Sequence, residues 1–274
     1  MTAGDLKKTE LTIMEMKEDT SEITYDLNLL SDSLSAWERS PGLRCVYADI
    51  YREIASSCIE GPTLEVGSGV AVSRDYFSHL VTSDIVKTPY VDCAMSAYDL
   101  EPGADGLWAN IFAVDVLHHL KQPMRFFESA ASVLRPGGRL ILTEPAATFG
   151  GRLFYSLFHH EPTHPHLIRA PFEFESNGVD GEFANMGMGV GLFKRCRDQV
   201  DAQLATYGLR CTVLHYRDLF AYPLTGGYSK PGIFPAAGLK YILRFEKWIP
   251  QCLLGLLGLR MLIVLEKVSG PEAS

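Results

Sequence analysis

The sequence predicts an α/β fold, in which helices cover a mostly parallel β-sheet. Between residues 64 and 145, short apolar runs alternate with segments of helical pattern. Such alternation is typical of parallel strands joined by right-handed crossovers. The first apolar run ends in an acid and a Gly-x-Gly turn, Glu65 to Gly69, which is a strand–turn–helix pattern. With 274 residues, 47% of them hydrophobic, the chain can bury a sizeable core.

The first predicted elements surround this turn. Residues 43–59 are expected to form a helix that packs on the sheet, and the first strand starts at Leu64. The residues after the turn, through Val81, have a helical pattern, and Asp84 closes the second apolar run. Only the six residues 85–90 separate Asp84 from the third run at 91–95. Because a parallel crossover takes a dozen or more residues, either the second crossover helix is absent or the third strand is short and displaced.

The remaining elements follow from apolar runs and breakers. A strand at 108–114 precedes a helix at 124–134, which stops at Arg135-Pro136-Gly137-Gly138 before a strand at 139–145. Gly208 is a good helix stop. Together these signals predict a helix at 193–207, a strand at 209–216, a helix at 236–257 and a last, antiparallel strand at 260–268.

The expected organisation is one domain at 36–274 behind a mobile N-terminal segment at 1–35. Residues 146–192 interrupt the alternation and are rich in Gly, Pro, His and aromatic residues. An insertion of this length in a compact domain is typical of a lid, and its aromatics argue against disorder. Its Gly150-Gly151 pair offers a hinge.

Composition restricts the classes of function. A formal net charge of −8 disfavours nonspecific binding to nucleic acid. The six cysteines show no Cys-x-x-Cys pair and no zinc spacing, which favours a reducing, cytoplasmic compartment. No apolar signal core is present at the N-terminus. The apolar stretch 248–265 is interrupted by Pro250, Gln251 and Arg260, so we expect a buried helix and strand there, with peripheral membrane contact left open.

The spacing after the turn separates two cofactor classes. A dinucleotide fingerprint places Gly or Ala at the sixth position, where this chain has Val72, and the small residue Ala71 comes one earlier. This spacing resembles the Asp/Glu-x-Gly-x-Gly-x-Gly motif of class I S-adenosylmethionine (SAM) methyltransferases. The segments VDVLHHL and VLRPGGRLILTEP are similar to the methyltransferase-11 group, which includes enzymes of quinone biosynthesis.

The resemblance implies a Rossmann-like seven-stranded sheet with helices on both faces, an inserted lid, and SAM as the cofactor. Glu65 would serve the amino end of SAM, the glycine turn its methionine portion, Asp84 the ribose, and Ser96 the adenine. Asp115, after the fourth strand, would face the sulfonium. The implied cofactor-binding residues are Glu65, Gly67, Ser68, Gly69, Asp84, Ser96, Ala97 and Asp115.

Three histidines are candidates for a general base. His118 and His119 follow the fourth strand, and His160 lies in the histidine-rich part of the lid. An imidazole titrates near neutral pH, so it can take a proton from an acceptor hydroxyl. Prolines disrupt regular spacing in the lid, so no metal site is predicted there.

The expected reaction is in-line transfer of the SAM methyl group to a small, largely apolar or aromatic acceptor, lipid-linked acceptors included. The lid aromatics motivate this expectation. Two alternatives stay open, a catalytically degenerate SAM-binding module that regulates or scaffolds a partner, and an NAD-dependent reductase. Val72 and the lack of a Tyr-x-x-x-Lys pair count against the reductase. The lid aromatics are Phe149, Phe154, Tyr155, Phe158, Phe172 and Phe174.

Overall fold

A computed structural model describes residues 27–159, 161–176, 183–228 and 232–268, and its seven strands form one mixed sheet in the order β3-β2-β1-β4-β5-β7-β6. Strands β1 to β5 pair in parallel, and β7 runs antiparallel between β5 and β6. This topology confirms the predicted fold class. The strands are β1 (Thr63–Val66), β2 (Leu80–Asp84), β3 (Cys93–Ala94), β4 (Trp108–Val114), β5 (Leu134–Pro145), β6 (Leu209–Arg217) and β7 (Arg260–Lys267).

Helices cover both faces of the sheet. In β4, the neighbouring residues Ile111 and Phe112 are fully buried and belong to two different apolar clusters. Since successive strand residues point to opposite faces, one cluster lies on each side of the sheet. The helices are α1 (Leu27–Arg39), α2 (Pro41–Ser57), α3 (Pro123–Val133), α4 (Phe149–Phe158), α5 (Met188–Val190), α6 (Arg197–Thr206), α7 (Ala221–Thr225), α8 (Ala236–Glu246) and α9 (Gln251–Leu257).

The crossover from β1 to β2 corrects one prediction. The helix expected through Val81 is only a five-residue 3-10 helix, Val72–Tyr76. Tyr76, its last residue, stacks on Tyr51 with ring centroids 5.3 Å apart, and Phe77 stacks on Phe112 at 4.8 Å. These rings cover the sheet where a longer helix would otherwise lie, so the helical pattern does not continue.

The crossover from β2 to β3 contains no helix among its described residues, and β3 has two residues. The expected absence of a second crossover helix and the expected short third strand are both found, but β3 is not displaced. It pairs in parallel with β2, with Asp84 opposite Ala94. The sheet therefore keeps its β3 edge strand, although this strand has only two residues.

The candidate lid has more regular structure than expected. It contains α4, whose Gly150 packs so closely that an added Cβ would lie 2.6 Å from the Leu257 carbonyl oxygen. Gly150 is thus a close-packing residue between α4 and α9, and the predicted hinge at this position is wrong. Residues 27–35, assigned to the mobile segment, lie in α1. The helix predicted at 236–257 divides into α8 and α9 around Pro250.

The helices offer no membrane span. Across the described ranges, none of them is long and apolar enough to cross a bilayer.

Candidate functional site

The carboxyl ends of β1, β2, β3 and β4 meet at one edge of the sheet, where open α/β sheets bind ligands. This edge carries the glycine turn after β1, Asp84 at the end of β2, and Asp115 after β4. The predicted cofactor residues are therefore brought to the same side of the molecule.

The glycine turn has a left-handed backbone at three positions. The φ angles are 71° at Gly67, 53° at Gly69 and 51° at Ala71. The Ser68 amide donates to the Ser83 carbonyl at 2.9 Å. This bond fixes the turn to the end of β2. Ala71 adopts a conformation that favours glycine, which explains why the family motif has glycine here.

Asp84 is buried and bonds to the turn. Its Oδ2 accepts a hydrogen bond from the Gly69 amide at 2.8 Å, and its Oδ1 accepts one from the Ile85 amide at 2.7 Å. The side chain is thus held in a fixed orientation at the mouth of the turn, which suits a carboxylate that receives ribose hydroxyls.

Glu65 lies below the turn, where it is 3% exposed. Its carboxylate accepts a hydrogen bond from the Ser73 hydroxyl of the 3-10 helix. Burial raises the pKa of Glu65 to about 7, although the hydrogen bonds from Ser73 and Ser68 oppose this shift. Glu65 therefore acts on the turn through its packing and its charge state.

The raised pKa of Glu65 predicts a pH effect on stability. A carboxyl whose folded pKa exceeds its unfolded value binds more protons when folded, so its stabilising contribution is present below pH 4.5 and is lost by pH 7. This shift corresponds to about 3 kcal/mol of unfolding free energy. Urea denaturation between pH 4.5 and 7 should show that the free energy of unfolding falls more steeply with pH for the native chain than for Glu65→Gln. Parallel curves would mean that Glu65 is ionised throughout.

Ser96 and Ala97 lie just beyond β3, on the same edge as Asp84. The Ser96 hydroxyl accepts a hydrogen bond from the Tyr98 amide at 3.2 Å. Ser96 is half-buried and Ala97 is buried. They follow the short strand β3, and their place beside the adenine stays a prediction.

Asp115 makes an ion pair that the sequence did not predict. Its two carboxylate oxygens lie 2.6 and 2.8 Å from Nη1 of Arg260, and Tyr47 donates its hydroxyl to Oδ2 at 3.0 Å. Arg260 is 4% exposed and lies 4.7 Å from the ring centroid of Tyr222. The available signal was a single arginine in the apolar stretch before Leu265, since an arginine in such a place needs a buried partner.

His118 lies between two carboxylates. Its Nδ1 lies 2.8 Å from Glu144 Oε2, and its Nε2 lies 3.5 Å from Glu161 Oε2. Burial lowers the pKa of His118, but the Glu144 carboxylate outweighs burial and raises it to about 10. An imidazole that carries a proton cannot accept another, so this environment does not favour His118 as a general base, and that role stays a prediction.

The other two histidine candidates are His119 and His160. His119 is exposed, and its Nδ1 lies 3.3 Å from the Phe183 carbonyl oxygen. His160 lies outside the described residues. Its neighbour His159 lines an apolar pocket, and burial lowers the pKa of its imidazole. His159 is therefore neutral at pH 7 and can accept a proton, although the sequence analysis did not single it out.

The apolar pocket has a volume of about 360 Å³ and lies between α4 and the α7–α8 connection. Of the lid aromatics, Phe154 and Phe158 line it. Tyr155 and Phe172 are core residues, at 2% and 1% exposure. The lid aromatics are thus divided between pocket, core and surface. The pocket is lined by Phe154, Phe158, His159, Tyr222, Pro223, Leu224, Gly226, Gly227, Tyr228 and Ile233.

Comparison with known proteins finds a family match for the part of the chain that contains the glycine turn. Residues 64–142 match the family model described as a methyltransferase domain. A tRNA U34 carboxymethyltransferase of Syntrophotalea carbinolica is 39% identical over 57 residues, which are 21% of this chain. The matched stretch spans only 18% of that relative.

Solved structures show weaker similarity. The CcbJ methyltransferase of Streptomyces caelestis is 13% identical, with a TM-score of 0.45 over 83% of this chain and 96% of that one. The 1,6-didemethyltoxoflavin-N1-methyltransferase of Burkholderia thailandensis, solved with S-adenosylhomocysteine, is 14% identical, with a TM-score of 0.42 over 88% of each chain. Such TM-scores are too low to support a conclusion about this chain.

The family match covers the glycine turn, Asp84 and Asp115, and it ends within β5, so it includes the parallel strands that build the ligand-binding edge. Sequence motif, sheet order and family match agree. Residues 64–142 therefore match a methyltransferase domain, within a sheet whose order agrees with the predicted Rossmann-like fold.

Proposed function

We propose that this protein transfers the methyl group of SAM to a small, largely apolar or aromatic acceptor, lipid-linked acceptors included. The observation that carries this proposal is the apolar pocket beside the Asp115–Arg260 pair, at the edge of the sheet where the glycine turn lies.

On the cofactor side, the residues present fit SAM. The left-handed turn at Gly67 and Gly69 keeps side chains away from the ligand, and Asp84 presents a fixed carboxylate for the ribose hydroxyls. Ser96 and Ala97 would border the adenine, with Glu65 and Ser68 supporting the turn. SAM supplies an activated sulfonium methyl group, so the protein's own residues need to bind, align and exclude water.

On the acceptor side, Tyr222 and Tyr228 connect the pocket to the cofactor edge. The Tyr228 ring lies 5.7 Å from the Tyr47 ring, and Tyr47 bonds to Asp115. Arg260 lies over the Tyr222 ring. Val116, next to Asp115, packs against Gly67 of the turn. These contacts link the pocket to the edge of the sheet that would hold the cofactor.

The pocket supplies one group for proton transfer, the neutral imidazole of His159. Its ring centroid lies 5.2 Å from that of Tyr155, which fixes its position at the end of α4. In this proposal His159 accepts a proton from an acceptor hydroxyl or amine as methyl transfer proceeds.

A second candidate function is a degenerate SAM-binding module. The 3-10 helix in place of a full first crossover helix, Ala71 in the motif and the two-residue β3 favour it. The two functions differ in whether the chain methylates an acceptor. A panel of phenols, quinols, amines and isoprenoid-linked rings, assayed with radiolabelled SAM, should yield a methylated product. A tRNA and a charged peptide belong in the panel as comparators. A chain that binds SAM but methylates no member would favour the module.

Pocket substitutions test the acceptor assignment. Ile233 lines the pocket yet is 77% exposed, so Ile233→Ala should leave the melting temperature unchanged. The substitution removes apolar contact with the acceptor, and each buried methylene contributes about 0.8 kcal/mol. We therefore expect the KM for the acceptor to rise roughly tenfold. Tyr241→Ala, 75% exposed and outside the pocket, is the matched control. Equal KM values for both variants would place the acceptor elsewhere.

A further inference from the structure

Three potential metal ligands lie close together near the end of β4. One ligating atom each of His118, His119 and Glu161 lies within 4.8 Å of the other two. The histidines follow β4, and the glutamate follows α4, so the fold brings the two segments together. Sequence spacing could not reveal this set, because Glu161 is far from the two histidines along the chain.

His118 has the hydrogen bonding of a metal-binding histidine. Its Nδ1 lies 2.8 Å from Oε2 of Glu144, which is fully buried. The Glu144 carboxylate is itself held by the amides of Val116 and Leu117, at 2.9 and 2.8 Å. A carboxylate on one ring nitrogen fixes the tautomer and turns the other nitrogen toward the ligand position. Here that other nitrogen, Nε2, lies 3.5 Å from Glu161 Oε2.

His119 repeats this arrangement with a backbone carbonyl. Its Nδ1 lies 3.3 Å from the Phe183 oxygen, which leaves Nε2 available for a ligand. The two imidazole rings lie side by side, with centroids 4.1 Å apart. Both rings are thus oriented by a second group, as ligating histidines are.

Glu161 completes the set. Its Oε2 is buried and is paired with Nε2 of His118 at 3.5 Å, while the side chain as a whole is 38% exposed. His119 is exposed, so an ion has a path from solvent. Glu161 also lines an open groove of about 520 Å³, which leaves room for water or another ligand beside its carboxylate.

We propose that His118, His119 and Glu161 bind one first-row divalent transition-metal ion of the Zn²⁺ or Fe²⁺ type. Two imidazole nitrogens and one carboxylate oxygen suit these ions, whereas Mg²⁺ and Ca²⁺ prefer oxygen ligands throughout. Three protein ligands leave positions open for water or a further ligand. An ion bound here takes the place of the proton on Nε2 of His118, and it joins the end of α4 to the β4 edge. This site does not depend on the proposed acceptor.

The test uses the full chain after treatment with chelator. Zn²⁺ titrated by calorimetry should bind with one equivalent per chain, and Co²⁺ should give a visible absorption spectrum of a nitrogen- and oxygen-ligated site. Glu161→Gln and His119→Ala should each weaken Zn²⁺ by about tenfold or more. His119 is exposed, so its removal should spare the fold, which circular dichroism checks.

The matched control is the double substitution His164→Ala and His166→Ala, since these two lid histidines lie outside the cluster. It should bind Zn²⁺ as the native chain does. The proposal is overturned if the native chain binds no stoichiometric Zn²⁺, if the two cluster variants keep native affinity, or if the control loses it. Mg²⁺ binding as tight as Zn²⁺ binding would overturn the assigned ion class.

Discussion

Replacement of Arg260 by alanine should lower the free energy of unfolding by about 3–5 kcal/mol, the usual cost of breaking a buried ion pair. Arg260 is 4% exposed and is bonded to Asp115 and Tyr47. Its Nε also lies 3.9 Å from the fully buried carboxylate of Asp218. Alanine would leave both carboxylates without this cation, and it would open a space beside Tyr222.

Urea denaturation measures this loss, with Arg210→Ala as the control. The Arg210 side chain is 66% exposed and lies 3.7 Å from Glu266 on the same pair of strands that contains Arg260. An exposed ion pair contributes about 0–1 kcal/mol, so the control should stay close to the native chain. If the two variants lost similar amounts of unfolding free energy, the buried contacts of Arg260 would not be a main source of stability at this edge of the sheet.

The next largest effect should come from Gly67→Ala. An added Cβ would lie 2.5 Å from Val116 Cγ2, and the residue has a φ of 71°. Left-handed backbone costs a non-glycine residue about 1–2 kcal/mol, and overpacking adds about 1–3 kcal/mol. We therefore expect a loss of roughly 2–5 kcal/mol, together with weaker SAM binding.

Gly69→Ala separates the two causes. Gly69 is also left-handed, with a φ of 53°, but its added Cβ would meet only Leu30 at 3.7 Å, an ordinary contact. Thermal and urea denaturation should show a loss of about 1–2 kcal/mol for this variant, the backbone cost alone. If Gly69→Ala lost as much as Gly67→Ala, the Val116 contact would not be the reason for glycine at position 67.

Strand β4 and helix α3 were predictable because their causes are local, whereas β5 begins at Leu134 and not at Arg139 as predicted. The buried run of β4 and the helix before Arg135 were found within a residue or two, since apolar periodicity and proline or glycine breakers act on neighbouring residues. The Gly67–Gly69 turn was also predictable, because a left-handed backbone next to a packed strand requires glycine at Gly67. The role of Asp84 in the site stays a prediction that rests on its position.

The rest depends on contacts between distant parts of the chain. Arg260 and Asp115 meet through the pairing of β5 with β7, and His118 meets Glu161 through the path of the chain after α4. Periodicity carries no information on such pairs. The helix predicted after the turn failed for the same reason, because the stacking of Phe77 on Phe112 across the sheet overrides a local pattern.

The central claim is that the edge formed by the Gly67–Gly69 turn and Asp84 binds SAM. Calorimetric titration of the purified chain with S-adenosylhomocysteine, with NAD in parallel, tests it most directly. We expect S-adenosylhomocysteine to bind, NAD to give no heat, and Asp84→Ala to weaken binding by about 1–3 kcal/mol, since ribose donors lose their partner. Asp99→Ala, an exposed acid after β3, should bind normally. Clear NAD binding with no heat from S-adenosylhomocysteine would contradict the account.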